Sequence, residues 1–388
     1  MFKDGIEVKA GNITDVAVAP YESKEFQIAL PELTDEKAEY FLNVYTTTKS
    51  ADALIPEDYL LAYEQFKLTD FTPSVFEMDI KGLSVTNVDG TVTVKGDGFE
   101  VGFNSTDGNL TKLDYGQGNL IKTGPSVNFW RAPTDNDYGY NMPKRLNVWK
   151  EATETQNLTS FQLNSNDGKK VVDAVKLSKN PFKIKNDLQL TAMYSLPSVQ
   201  GEASVTYTIN NKGDILVSTD LSNIKNSLPI VPRFGNNFII DSAYDKVSWY
   251  GRGPHENYQD RKTSALVGKY DATVKDLYFE YIRPQENGYR TDIRTVSFLN
   301  TNGKGIQISS PKLFGFSAHN QYNSDFDEGM EKQQRHTYDI PIRDLININI
   351  DYSQMGVGGD DSWGLMPHEE YQIKPDNLSF SFMIKPVK

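Results

Sequence analysis

Alternating apolar and polar residues recur along most of the chain and predict β-strands. Ile346–Asp351 alternates isoleucine with asparagine or aspartate, the period-two pattern of a half-buried strand, and this alternation stops where a glycine-rich segment begins. Thr91–Phe103 alternates in the same way on both sides of a Gly-Asp-Gly turn. Ala203–Asn210 and Asp214–Thr219 are joined by a turn rich in asparagine and glycine. These patterns predict antiparallel hairpins.

The first seventy residues contain four short strand-like runs punctuated by Pro and Gly. Runs this short and this closely spaced are typical of an immunoglobulin-like sandwich, which we predict for residues 1–70. Residues 71–83 have no sustained periodicity, and we interpret them as a linker. The four predicted strands are Ile13–Val18, Glu25–Ala29, Glu39–Thr46 and Ala62–Leu68.

Residues 84–388 consist of one long series of predicted strands with a single convincing helix. In the helix, Pro143 lies near the start, and Leu146, Val148, Trp149 and Ala152 recur at spacings that form one buried face. No alternation of strands and helices is present, which excludes a Rossmann fold or a complete (β/α)₈ barrel. The chain is therefore predicted to be all-β, with a large antiparallel second domain.

Composition narrows the range of ligands. The 388 residues carry a formal net charge of −12, which argues against nucleic acid and anionic membranes as partners and favours a neutral ligand. No window approaches the ~18 apolar residues of a membrane span. The absence of Cys excludes disulfides and thiolate chemistry, and no two of the four His have helical i, i+4 spacing. We therefore expect neither a metal nor a cofactor in this chain.

The segment after Ile346–Asp351 has the composition of a loop that holds one tryptophan away from a sheet. Gly356, Gly358 and Gly359 permit positive φ and close approach, while Asp360 and Asp361 can bond local N–H groups. A flat aromatic side chain in such a turn suits stacking on the C–H face of a sugar. The alternative is that this tryptophan is simply another buried aromatic. The residue in question is Trp363.

Four further stretches are dense in polar and aromatic residues. In Phe129–Gly139, an Arg beside several carboxylates predicts a bidentate structural network rather than a Ca²⁺ site, because the acidic spacing does not match an EF-hand. Trp249–Arg261, Arg283–Arg294 and Phe316–Tyr322 supply groups that can act in acid–base chemistry. From the residues alone, Glu256 with Glu286 is the only candidate pair of hydrolytic carboxylates. The same stretches also contain His255, Arg290 and His319.

These stretches together resemble the C-terminal domain of glycoside hydrolase family 2 β-galactosidases. The long ordered matches are Tyr250-Gly-Arg-Gly-Pro-His-Glu-Asn-Tyr-Gln-Asp-Arg and Gly358-Gly-Asp-Asp-Ser-Trp. Near the start of the chain, Asp4-Gly-Ile-Glu-Val and Glu39-Tyr-Phe-Leu-Asn-Val resemble the immunoglobulin-like domain that follows the catalytic barrel in that family. The resemblance covers essentially the whole chain. It implies a small immunoglobulin-like sandwich followed by a β supersandwich similar to galactose mutarotase.

The resemblance also implies that this chain and the catalytic barrel of the family have different roles. The family's two catalytic glutamates lie in a (β/α)₈ barrel that this chain lacks, so Glu256 and Glu286 become structural or groove-lining, as do His255, Arg290 and His319. Trp363 matches a tryptophan that stacks on sugar at the barrel mouth, and Gly358, Gly359, Asp360 and Asp361 would support its loop. The chain would be the non-catalytic part of a retaining β-galactosidase, inactive alone. Its expected partners are a β-galactoside and the barrel of the same enzyme, and the barrel can bind cations. The sequence is also compatible with a homo-oligomer.

Two other functions remain open from the sequence. One is a carbohydrate-binding module, which would bind sugar without the barrel. The other is a mutarotase-like epimerase, which needs a His and a carboxylate converging in the sandwich groove. His319 or His255 with Glu286 would have to supply that pair.

Overall fold

The structure is a computed structural model that describes residues 1–14, 16–73, 82–165, 170–184, 188–225, 227–361 and 363–388. Residue contacts divide the chain into two compact units, Met1–Ser74 and Val75–Lys388. The strands are β1 (Phe2–Lys3), β2 (Ile6–Glu7), β3 (Tyr40–Thr47), β4 (Leu60–Lys67), β5 (Ser84–Val88), β6 (Thr91–Gly96), β7 (Phe99–Asn104), β8 (Leu110–Asp114), β9 (Ile121–Asn128), β10 (Asn157–Ser165), β11 (Lys170–Asp173), β12 (Phe182–Lys183), β13 (Leu188–Leu196), β14 (Gly201–Ile209), β15 (Ile215–Ser222), β16 (Arg233–Ile240), β17 (Lys246–Gly253), β18 (Leu266–Thr273), β19 (Arg290–Leu299), β20 (Gly305–His319), β21 (Ile346–Gln354) and β22 (Leu378–Val387).

Helices are short and few compared with the strands. The α-helices are α1 (Asp135–Gly139), α2 (Met142–Arg145), α3 (Asn147–Glu154), α4 (Val274–Leu277) and α5 (Asn323–Phe326). Single 3₁₀ turns lie at Ala174–Lys176, Pro197–Val199, Ser242–Tyr244, Thr337–Asp339 and Glu369–Tyr371. No helix in the described part of the chain is long and apolar enough to cross a membrane. The prediction of an all-β chain with antiparallel sheets is confirmed.

The smaller unit contains a four-stranded sheet in the order β2-β1-β3-β4. β3 and β4 form its longest pairing, and they correspond to the predicted strands Glu39–Thr46 and Ala62–Leu68. The predictions for Ile13–Val18 and Glu25–Ala29 are wrong, because no described residue of either run lies in a strand. Their apolar side chains are exposed to solvent, so the alternation that predicted half-buried strands meets no packing surface here.

The larger unit contains two antiparallel sheets among its described residues. Strands β12, β5, β6, β7 and β8 form a five-stranded sheet in that order. Thirteen strands form the second sheet, whose main path is β11-β10-β13-β14-β15-β22-β20-β19-β17-β18. The predicted hairpins are confirmed as β6 with β7 and β14 with β15. Of the predicted linker at residues 71–83, residues 74–81 lie outside the described residues.

Strand β20 connects the two parts of the large sheet. Its first half pairs with β22 from Gly305 to Ser309, and its second half pairs with β21 from Gly315 to His319. β21 in turn pairs with β16, and β16 pairs with β9. One long strand therefore carries the hydrogen bonding from the main path onto the β21-β16-β9 layer. β21 ends at the loop that contains Trp363.

The predicted helix is present but divided in two. α2 ends at Arg145 and α3 begins at Asn147, so Leu146 lies between them and belongs to neither. Trp149 and Ala152 are fully buried on the predicted face, and the Trp149 ring packs on Phe129 with centroids 5.6 Å apart. The hydrophobic periodicity thus located the buried face correctly.

Strand β21 differs from the prediction in one respect. The strand itself is confirmed, but it is buried on both faces rather than half-buried, and Asn347 and Asn349 are almost fully inaccessible. Their amides exchange hydrogen bonds with Asn237, Asn323 and Asn128. Buried amides are tolerated when partners of this kind satisfy them, which is why polar residues occupy an interior strand.

Strand β21 offers a direct test of where the core lies. Ile348 is 0% exposed between β16 and β20, whereas Ile342, in the preceding loop, is 79% exposed. We predict that Ile348→Ala lowers the free energy of unfolding by about 2–5 kcal/mol, because it leaves a cavity. The matched change Ile342→Ala should stay within about 0.5 kcal/mol of the parent. Urea unfolding monitored by circular dichroism measures both, and equal losses would contradict this packing.

Candidate functional site

The loop after β21 holds Trp363 at the surface. All four tryptophans lie within the described ranges, and Trp363 is 86% exposed whereas Trp130, Trp149 and Trp249 are buried. The structure therefore excludes the alternative that Trp363 is a core aromatic. An indole exposed in this way gains little from hydrophobic burial.

Asp361 organises the turn around Trp363. Its Oδ1 accepts hydrogen bonds from the backbone N–H groups of Trp363, Gly364 and Leu365 at 2.9, 3.1 and 3.2 Å. These bonds favour the ionised carboxylate and lower the pKa of Asp361. Asp360 bonds His368 at 2.8 Å, and this contact raises the pKa of His368. Both aspartates therefore make contacts within the loop and its immediate continuation.

The base of the loop is fixed by Arg131 and Asp260. Arg131 donates from Nη1 to the Met355 carbonyl at 2.7 Å and from Nη2 to the Gly356 carbonyl at 3.0 Å. Asp260 Oδ2 accepts from the N–H groups of Val357 and Gly358, both at 2.8 Å. A cation therefore binds carbonyls and an anion binds amides over four successive residues. This pattern fixes where the loop leaves the sheet.

Arg131 is itself held by Asp137 in the fully buried bidentate pair that the sequence predicted. The guanidinium bonds the two carboxylate oxygens of Asp137 at 2.7 and 3.1 Å. Asp137 also accepts the N–H of Thr134 through its carboxylate, and the Thr134 hydroxyl in turn accepts the backbone N–H of Asp137, which completes a capping box at α1. Tyr140 donates its hydroxyl to the same carboxylate. The start of α1 and the base of the Trp363 loop are therefore both held by one buried ion pair, Arg131 with Asp137.

Glycines in the loop permit close approach rather than unusual backbone angles. None of Gly356, Gly358 and Gly359 has positive φ, so that part of the prediction is wrong. A Cβ on Gly356 would lie 2.6 Å from Asp260 Oδ2, and one on Gly359 would clash with the Leu365 carbonyl oxygen. Gly358 has more room, since a Cβ there meets only atoms at 3.8 Å.

Trp363 borders an open cavity of about 440 Å³. Its chemistry combines aromatic and charged side chains: Lys332 bonds Asp135 at 2.6 Å, and its ammonium lies 5.7 Å from the centre of the Tyr138 ring. An aromatic surface beside paired charges suits a neutral polyhydroxylated ligand, which can stack and also exchange hydrogen bonds. The lining residues are Asp135, Tyr138, Gly139, Asn141, Lys144, Met330, Glu331, Lys332 and Trp363.

The sequence analysis did not identify most of the residues that line this cavity. Met330, Glu331 and Lys332 lie in a loop without a recognisable motif, and only the folding of the chain brings them to Trp363. Asp135 and Tyr138 fell within a stretch interpreted as structural. Their positions in α1, next to the turn that anchors the Trp363 loop, were the available signal.

The five residues suggested as groove-lining separate into two groups. His255, Glu256 and Arg290 line a second cavity of about 300 Å³. Glu256 there accepts from Arg261 at 2.8 Å, from the N–H of Gly288 at 2.7 Å and from the Tyr281 hydroxyl. His319 and Glu286 instead are buried and line neither of the two cavities.

His319 and Glu286 have internal partners. His319 Nε2 lies 3.0 Å from Asn287 Oδ1, and burial lowers the pKa of this histidine to about 3, which keeps the ring neutral. Glu286 accepts from Arg233 at 2.8 Å and from Gln354 at 3.2 Å. Because Glu286 lines neither cavity, it does not share one with His319 or with His255, the two histidines that a mutarotase-like reaction was expected to pair with it.

Asp351 completes the charge cluster around Arg233. Its Oδ2 lies 3.1 Å from Arg233 Nε, and both side chains of this ion pair are fully buried. Burial raises the pKa of Asp351 to about 7, against the opposing charge of Arg233. Within the described ranges, no group of three or more His, Asp or Glu side chains is placed to hold a metal ion.

Comparisons with known proteins cover nearly the whole chain. Residues 95–384 match the family described as "Beta galactosidase small chain", and residues 1–69 match "Beta-galactosidase, domain 4". A β-galactosidase of Priestia megaterium is 32% identical over 375 residues, covering 95% of this chain and 34% of the relative. A β-galactosidase of Pseudoalteromonas haloplanktis is 28% identical over 397 residues, covering 99% and 36%. The chain thus spans about a third of the length of the curated relatives it matches.

Solved structures give more distant matches. An aldose epimerase homologue of C. elegans aligns with a TM-score of 0.37 and 12% identity, covering 79% of this chain and 98% of that one. A galactose 1-epimerase of Lactobacillus acidophilus aligns with a TM-score of 0.35 and 9% identity, covering 80% and 99%.

Removing the positive charge of Arg131 beneath the Trp363 loop should destabilise the folded chain. We predict that Arg131→Met lowers the free energy of unfolding by about 3–5 kcal/mol, because Asp137 becomes a buried charge without its ion-pair partner. Lys179→Met, which breaks an ion pair whose side chains are 74% and 82% exposed, should cost less than about 1 kcal/mol. Urea denaturation of the two variants measures the difference. Equal midpoints would show that the Arg131–Asp137 pair contributes no more than a surface pair.

The raised pKa of Asp351 predicts a pH dependence of stability. Between the unfolded value near 3.8 and the folded value near 7, the folded chain binds the extra proton, so stability falls as pH rises through this window. We predict that Asp351→Asn reduces the loss of unfolding free energy between pH 5 and pH 8 by on the order of 1–3 kcal/mol.

The control for this measurement is Asp325→Asn. Against the effect of burial, hydrogen bonds from Arg343 lower the pKa of Asp325, so this carboxyl is ionised in both states across the same window. Its removal should leave the slope between pH 5 and pH 8 unchanged. Parallel pH curves for the parent and Asp351→Asn would contradict the assignment to Asp351.

Proposed function

This chain belongs to the beta galactosidase small chain family, and from that membership we propose that it is the non-catalytic C-terminal part of a retaining β-galactosidase. In this proposal the rest of the enzyme supplies both catalytic carboxylates, and this chain supplies one wall of the sugar site. The observation that carries the proposal is Trp363, an 86% exposed indole held over a cavity by an anchored loop.

The state of the carboxylates supports a non-catalytic role. A retaining glycosidase needs a nucleophile and an acid/base about 5–5.5 Å apart, both facing the sugar. Glu286 is buried against Arg233 and Gln354, and it lines neither cavity. Glu256 lines the second cavity, but it is engaged by Arg261, Tyr281 and Gly288. The two glutamates therefore do not face one ligand space.

The residues around Trp363 that line the cavity would act by binding the sugar rather than by proton transfer. The C–H face of a galactoside would stack on the indole, and its hydroxyls would exchange hydrogen bonds with groups such as Asp135 and Lys332. Stacking of this kind is worth about 1–2 kcal/mol. The anchoring of the loop by Arg131 and Asp260 would keep the indole in place before the ligand arrives, which lowers the entropy cost of binding.

The test is hydrolysis of nitrophenyl β-galactoside by this chain alone and by this chain joined to the remaining two thirds of the Priestia megaterium relative. We expect no hydrolysis from the chain alone and hydrolysis from the joined enzyme. Trp363→Ala in the joined enzyme should raise KM about tenfold with a smaller effect on kcat, because one stacking contact is lost.

Tyr338→Ala is the matched control, since Tyr338 is an exposed aromatic that lines neither cavity. It should leave KM and kcat unchanged. Hydrolysis by the isolated chain would overturn the non-catalytic assignment, and an unchanged KM in Trp363→Ala would overturn the role of the indole.

A free-standing carbohydrate-binding module is the second candidate, favoured by the exposure of Trp363 in a chain that lacks the barrel. Since the other three tryptophans are buried, ligand-induced changes in acrylamide quenching report chiefly on Trp363. Protection of Trp363 by lactose in the isolated chain would support a binding module. An unchanged quenching curve at high lactose would favour the first proposal, in which the chain is the non-catalytic part of a larger β-galactosidase.

A further inference from the structure

The smaller unit buries very few of its apolar side chains. Among residues 1–14 and 16–73, the buried hydrophobic residues are Ala38, Tyr40 and Phe41. In the larger unit, by contrast, one core cluster extends along the chain from Leu83 to Ile384. A unit of about seventy residues needs a core of its own, because the burial of apolar surface offsets the entropy that the chain loses on folding. Three buried side chains are too few for that purpose.

One group of exposed apolar residues lies on β4. This strand ends the sheet order β2-β1-β3-β4. Its side chains Leu60, Leu61 and Phe66 are between 45% and 55% exposed. A long apolar strand at the edge of a sheet is a surface on which another chain segment can pair and pack, and proteins normally keep such a strand covered. The composition of β4 therefore suits a covered position.

A second group lies between β2 and β3. Phe26, Ile28 and Leu30 are spaced by two residues, so in an extended strand they share one face. They are 37–47% exposed, and no residue from 25 to 30 lies in a strand. Ile13, Val16 and Val18 are exposed in the same way. Both runs have the pattern of a half-buried strand, but the described residues provide neither a pairing strand nor an apolar layer for them.

The comparisons indicate which polypeptide can supply that layer. Residues 1–69 match a domain of β-galactosidases. The whole chain nevertheless covers only 34% of the Priestia megaterium relative, so about two thirds of such an enzyme has no counterpart in this chain. Those residues are a large source of strands that could cover the smaller unit.

Charge argues against a second copy of this chain as the cover. Residues 1–73 contain six Lys and no Arg, but fourteen Asp and Glu. Two surfaces with this excess of negative charge would repel each other. A partner that carries neutral or basic residues around an apolar centre fits better.

We propose that the smaller unit is one part of a β-sandwich that the remaining two thirds of the parent β-galactosidase completes. Strands of that partner would pair with residues 25–30 and cover the apolar side chains of β4. The inference rests on the proposed function, because it takes the rest of that enzyme as the partner. It assigns residues 1–73 a role in assembly that is separate from sugar binding at Trp363. It also explains why Ile13–Val18 and Glu25–Ala29 have strand patterns without forming strands here.

The test is hydrogen–deuterium exchange of this chain alone and of this chain joined to the remaining two thirds of the Priestia megaterium relative. We expect the amides of residues 25–30 and of β4 to exchange at least about tenfold more slowly in the joined enzyme, because new pairing and burial suppress local opening. β14 and β15 pair inside the large sheet and serve as the internal control. Their amides should exchange equally slowly in both proteins.

Ile28→Asp and Val175→Asp form a matched pair of variants. In the isolated chain these side chains are 47% and 54% exposed, so neither change should alter the thermal midpoint. In the joined enzyme, Ile28→Asp would place a charge in an apolar layer. It should therefore raise the exchange rate of residues 25–30 at least about tenfold, whereas Val175→Asp should leave that rate unchanged.

Equal exchange of residues 25–30 in the isolated chain and the joined enzyme would overturn the proposal, whether or not the joined enzyme hydrolyses nitrophenyl β-galactoside. Slow exchange in the isolated chain that depends on its concentration would assign the surface to a second copy, and would also overturn the proposal. Protection in a joined enzyme whose KM does not respond to Trp363→Ala would support this interface while rejecting the role proposed for the indole.

Discussion

The position of Trp363 depends on one buried ion pair, that between Arg131 and Asp137. Asp137 closes the capping box of α1, and Arg131 donates to the carbonyls of Met355 and Gly356 where the chain leaves β21. A guanidinium can do both because its donors project in a fixed planar fork. The pair therefore joins two segments more than two hundred residues apart in sequence. Without this pair, the Trp363 loop would lose its hydrogen bonds to Arg131 and would no longer be tied to the start of α1.

This arrangement fits a chain that contributes binding but not chemistry. Two buried carboxylates of the larger unit are paired with internal cations, Asp137 with Arg131 and Glu286 with Arg233. Catalytic carboxylates must instead face the substrate. The exposed side of the anchored loop offers an indole and a few paired charges, which suits recognition of a neutral sugar. The family assignment gives this surface its proposed place, at the site formed by the remaining two thirds of the enzyme.

The sequence predicted those features that depend on local patterns. Period-two alternation located the two hairpins and β21, and the density of Arg and Asp in Phe129–Gly139 predicted the bidentate pair. It failed where tertiary packing decides. The alternation placed Asn347 and Asn349 on a solvent face, but they are buried in an amide cluster. It also predicted a strand at Ile13–Val18, where no described residue lies in a strand. Lys332 carries no local signal for its place beside Trp363, because that contact is made only by the fold.

The central claim is that Trp363 is a sugar platform completed by the rest of the enzyme, and acrylamide quenching of its fluorescence tests it most directly. The indole is exposed in the isolated chain and should be readily quenched. In the joined enzyme, a non-hydrolysed galactoside analogue should protect it, and this part of the protection should disappear in Trp363→Phe, which lacks the indole. Quenching of Trp363 that is the same with and without the analogue would contradict the account.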